Sequence, residues 1–173
     1  MKWETVEAFG TVAGAMVAII AIWQQNRAFK ATLAADLSMK LDDRFGSEEF
    51  RKTRSKAARS LRDHVSEGGA EDVFDFFEML GLFARRKVLD VEIIHSFFFH
   101  WISLYWIAGR DHIVKKQLRA SSAWKDFGDL YLSVLRIEQR ISPSSEDISP
   151  SSERITSYLN DEMALYEAET EPR

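Results

Sequence analysis

The sequence predicts an all-α protein in which an N-terminal transmembrane and stalk helix precedes a cytosolic helical bundle. Three observations carry this prediction. Helix formers dominate 173 residues that hold 8 glycines and 3 prolines, too little punctuation for a sheet of short strands. Apolar residues recur at three- and four-residue spacing instead of alternating. A run without a charge, Ala8 to Trp23, stands ahead of the rest, and a chain of this size has room for one domain with a core.

The elements follow in order. Trp3 and Trp23 bracket about 30 Å of helix, the thickness of a bilayer core, and tryptophan favours both membrane interfaces. Residues 1–26 therefore read as a transmembrane segment. Acids at Glu4 and Glu7 and the lack of a small-x-small cleavage site near Trp23 argue against a removed signal peptide. A buried helix of a soluble oligomer is the competing reading, since five of the sixteen residues from Ala8 to Trp23 are alanine and two are glycine. Arg27, Lys30, Lys40 and Arg44 follow the segment and Lys2 precedes it, which directs the C-terminal part to the cytoplasmic side of a bacterial inner membrane. Gly10 and Gly14 form a G-x-x-x-G pair suited to close helix packing and self-association.

Residues 27–140 read as stalk and bundle. Phe29, Leu33, Leu37, Leu41 and Phe45 repeat every fourth residue up to Gly46. Ser47 is the N-cap of a second helix, with Glu48 and Glu49 in its first turn. A third runs from about Glu71 to Lys87. Asp90 caps a fourth, which Gly109 ends, and Ser121 or Ser122 opens a further helix ending near Arg140. The segment Ile93 to Ala108 is apolar nearly all round; it is short for a membrane span and carries His95 and His100, so it reads as the core helix. Residues 141–154 repeat ISPSSED as ISPSSER and read as a polar linker. Residues 155–173 form an acidic amphipathic tail on Ile155, Leu159, Met163 and Tyr166. From residue 141 onward eight acids face two arginines, so the tail accounts for the net charge of −4. Docking of the tail on the chain's own body is expected, with a protein partner as the other use.

Phe76-Phe77-Glu78, Leu82, Val88-Leu89-Asp90, Tyr105-Trp106, Ile113, Arg119, Trp124, Phe127 and Leu130-Tyr131 resemble an uncharacterised family of small bacterial proteins. The resemblance spans about residues 1–140. It implies an N-terminal membrane helix before a helical cytosolic domain of unknown function, and it brings no substrate, cofactor or catalytic residue.

The chemistry-bearing residues are few. The chain has no cysteine, hence neither disulfides nor thiolate chemistry. P-loop, dinucleotide, zinc-protease, nucleophile-elbow and kinase motifs are absent. Glu92 and His95 have the i, i+3 spacing of di-iron helices but no second copy, so neither metal nor cofactor is expected. Glu78, set in FDFFEML, reads as a structural buried acid answered by Arg85, Arg110 or Arg119. Arg59 and His64 match the spacing of HEPN-type ribonucleases, at a frequency chance also supplies. Arg51, Arg54, Arg59 and Arg62 share one arc of a basic helix, beside Phe50, Ala57 and Leu61. That arc suits anionic headgroups or plain solvent; without stacking aromatics it does not suit nucleic acid. The expected role is a membrane-anchored interaction or assembly protein that forms homo-oligomers. The alternatives are a membrane-tethered HEPN-like ribonuclease using Arg59 and His64, and a membrane effector of a bacterial defence or stress pathway.

Overall fold

Helix is the regular structure throughout the residues that the computed structural model describes, 24–25, 32–64 and 69–170, and these contain no strand. Of residues 1–26, expected from the sequence to cross a membrane, the described residues include 24–25; Gly10 and Gly14 lie outside them. The chain divides into two units, residues 1–37 and 38–173. In the first, residues 24–25 and 32–37 are helical.

The second unit begins within helix α1 (residues 32–46), whose Leu41 and Phe45 are buried. Helix α2 (Glu48–Arg62) starts where its cap predicts, the Ser47 hydroxyl accepting the Phe50 N–H at 3.3 Å. Helix α3 (Ala70–Arg85) buries Val73, Phe74, Phe76, Phe77 and Leu80, a stripe at helical spacing. Helix α4 (Val91–Ala108) is capped by Asp90, which accepts the Glu92 N–H at 3.1 Å. Among the described residues it is also the helix long and apolar enough to cross a membrane. Ile94, Phe98, Ile102, Leu104 and Tyr105 of α4 are nevertheless within the core, at 2% exposure or less.

Two departures from the sequence reading follow. Gly109 ends α4 as its C-cap, but a further helix that the sequence reading lacks, α5 (Arg110–Gln117), follows at once; a side chain at Gly109 would run into the Phe74 ring, so the glycine lets the turn close on it. Neither Ser121 nor Ser122 opens the next helix, α6 (Lys125–Ile141). Its cap position is Trp124, held at φ 50° in left-handed backbone. The Trp124 indole donates to Asp75 Oδ1 at 2.7 Å and its ring stands edge-on to Phe74 at 5.1 Å, so tertiary anchoring sets the start of α6. A 3₁₀ turn (Glu146–Ile148) and helix α7 (Ser152–Thr170) complete the chain. Helix α3 packs between α2 and α6, α4 lies against α6, and α7 lies along α2.

Candidate functional site

Arg54 belongs to the row Phe50, Arg54, Ala58 and Leu61 along α2, spaced by four, four and three residues, and that row faces the interior. Its side chain is 6% exposed, and this corrects its placement on the surface arc with Arg51, Arg59 and Arg62. Within the interior it meets Glu162 of α7, Nε to Oε2 3.2 Å, with the acid 4% exposed. The guanidinium also stands over the Phe45 ring, 4.3 Å from its centroid, which offsets part of its lost hydration.

Helix α4 supplies two further donors to the same carboxylate. The Tyr105 hydroxyl lies 3.1 Å from Glu162 Oε2 and 3.3 Å from the Arg54 carbonyl, and the Trp101 indole N–H reaches Glu162 Oε1 at 3.4 Å. Burial, then the charge of Glu162, pushes the Tyr105 hydroxyl well above the usual tyrosine range, so it stays protonated and serves as a donor. Tyr158 of α7, packed edge-on against Tyr105 at 5.6 Å, is pushed up likewise by burial first. Its hydroxyl is buried without a well-formed hydrogen bond. Along the same seam the Ser55 hydroxyl donates to the Met163 carbonyl at 3.4 Å and Arg62 Nη1 donates to Asn160 Oδ1 at 3.3 Å. The result is a cation and two neutral donors converging on one carboxylate, a receptor for an acidic side chain.

The repeat is not a detached linker. Its Asp147 faces His100 Nδ1 at 2.6 Å and Arg154 Nη2 at 3.3 Å, and the Ser103 hydroxyl donates to the Asp147 carbonyl. One acid of a polar segment thus pins residues 141–151 to α4. Nearby, His95 and Glu138 join α4 to α6 at 2.8 Å. His95 is therefore engaged with α6, while Glu92 shares its surroundings with Asp90, whose carboxylate raises it. No group of three or more potential metal ligands is assembled among the described residues.

Glu78 has no arginine partner of the expected kind. Its Oε2 accepts the Phe127 N–H at 2.7 Å, so it caps the first turn of α6 from the neighbouring helix. Arg85 instead makes a two-pronged pair with Asp126, at 2.8 and 2.9 Å. Burial raises Glu78 above its usual range, the amides of Phe127 and Asp126 oppose that rise, and the charges of Asp126 and Asp75 add to it. The cap was invisible in the sequence because its two halves are 49 residues apart.

Arg59 and His64 are not brought to one helical face. Helix α2 ends at Arg62, Asp63 is its C-cap, and His64 adopts φ 53°, which turns the backbone away from the helix. Arg59 and His64 are both exposed.

Residues 8–134 match the model of a family described as a domain of unknown function, DUF4760. No curated protein and no solved structure matches the chain.

Proposed function

The chain belongs to the DUF4760 family, and we propose that it is a membrane-anchored assembly protein, with residues 1–26 crossing a bacterial inner membrane once and the helical unit acting in the cytosol. The observation that carries this reading is the charge-free run Ala8 to Trp23, closed by Trp3 and Trp23 and followed by Arg27, Lys30, Lys40 and Arg44. Gly10 and Gly14 are the contact points for self-association within the bilayer. The helical unit supports an interaction role because the ionisable groups it draws inward are answered from within the chain: Arg54 by Glu162, Glu78 by the amides of α6, and His95 by Glu138. Of the basic arc, Arg59 and Arg62 lie at the surface, where Arg62 is paired with Asp63 at 2.8 Å; a basic side chain held near anionic headgroups contributes about 1 kcal/mol.

Alkaline carbonate extraction of membranes tests the anchor. The full-length protein is expected in the membrane pellet, and its recovery in the soluble fraction would remove the basis of this reading.

A further inference from the structure

Helix α7 lies beyond residues 8–134, the part of the chain that the family model matches, yet it covers the most specific polar cluster of the described structure. The groove beneath it is built by α2 and α4. Stripped of α7, that groove holds the Arg54 guanidinium, the Tyr105 hydroxyl and the Trp101 indole N–H, all arranged around the place of one carboxylate. An occupant must insert apolar side chains where Tyr158, Leu159 and Met163 are buried, and must set an acid on Arg54. The helix that meets both demands is α7, and a second copy of the chain presents an identical one.

The attachment of α7 suits exchange. Residues 142–151 join it to α6 and contain Ser-Pro twice, so they neither continue the α6 helix nor supply an apolar face of their own. They are held to α4 through Asp147, whose carboxylate meets His100 and whose carbonyl accepts the Ser103 hydroxyl, while the other partner of that carboxylate, Arg154, belongs to α7 and would travel with it. The fit of α7 favours register over strength. A buried ion pair recovers little beyond its own desolvation, and the Tyr158 hydroxyl is buried without a well-formed hydrogen bond. Exchange between copies reuses the same contacts in trans and needs no new surface, and tethering to one membrane raises the effective concentration of the second copy.

We propose that the groove between α2 and α4 is a receptor for the C-terminal helix of a second copy of this chain, Glu162 of one copy docking on Arg54, Tyr105 and Trp101 of the other. The inference rests on the assembly reading and deepens it by naming the exchanged element and the group that reads it.

The test uses full-length protein in membranes. The chain has no cysteine of its own, so Arg62→Cys in one copy and Asn160→Cys in a differently tagged copy place single thiols on the two sides of the seam. Co-production and treatment with a short bismaleimide are expected to give a covalent dimer carrying both tags. Adding Glu162→Arg to the copy that donates its helix should abolish that product, and adding Arg54→Glu to the receiving copy should restore it. A chain carrying both cysteine substitutions serves as the internal control. Cross-linking within that chain without any across copies overturns the exchange, as does a heterodimer indifferent to Glu162→Arg. If light scattering still finds an oligomer when no cross-copy product forms, the assembly reading stands and the exchange alone falls.

Discussion

Arg54 and Glu162 carry opposite charges in a place that water does not reach, so removing one leaves the other uncompensated. Glu162→Ala is expected to cost about 3–5 kcal/mol in urea unfolding, the range for breaking a buried pair. Arg54→Met combined with Glu162→Leu should cost less than Glu162→Ala alone, because both desolvation penalties disappear together while the Tyr105 hydroxyl keeps the Arg54 carbonyl as acceptor. Glu78 gives a prediction in pH. Its carboxyl is raised in the folded protein, so the unfolded chain loses that proton first and the folded state binds it more tightly. The associated stability is therefore present below the usual value near 4.5 and is lost as pH rises through the raised value. Glu78→Gln keeps an acceptor for the Phe127 amide and removes the titration. The variant should gain stability relative to the parent protein as pH is raised from 4 towards about 7, in unfolding curves recorded across that range. At this scale the sequence is half legible. Arg54 shares a row with Ala58 and Leu61, a sign of burial that its grouping with the basic arc passed over. Its partner lies on a helix 108 residues further along, and only folding brings the two together.

Elements governed by local chemistry were readable and elements governed by distant contacts were not. The caps Ser47 and Asp90 bond amides two or three residues away, and both helices begin where those side chains predict. Helix α6 begins instead where Trp124 is anchored on Asp75 and where Glu78 reaches over from α3. The Ser/Pro repeat looked too polar to pack, and one acid, Asp147, reverses that by meeting His100 and Arg154. The joint between α3 and α6 depends on Gly81, because a methyl group there would collide with the Asp126 carbonyl, which cannot move without shifting the helix. Gly81→Ala is therefore expected to destabilise the bundle by about 1–3 kcal/mol, as overpacking does, despite the better helix propensity of alanine. Thermal unfolding followed by circular dichroism measures it, and a variant as stable as the parent protein would show that the two helices are free to part.

For the whole molecule, the all-helical class was legible from composition and spacing, and the apolar α4 proves to be a helix with one side in the core. What composition does not convey is which acid of the tail turns inward. The spacing of Ile155, Leu159, Met163 and Tyr166 leads to an expectation of docking on the chain's own body, and Glu162 is interior with Tyr158, Leu159 and Met163 closed over the groove between α2 and α4, while Glu153 and Asp161 stay exposed. In the function we propose, assembly runs through the N-terminal segment, and light scattering coupled to size-exclusion chromatography decides this by comparing detergent-solubilised full-length protein with a chain that starts near Arg27. A defined oligomer for the full chain, with a loss of subunits on truncation, is the predicted result. A full-length protein that runs as a monomer in detergent would contradict it.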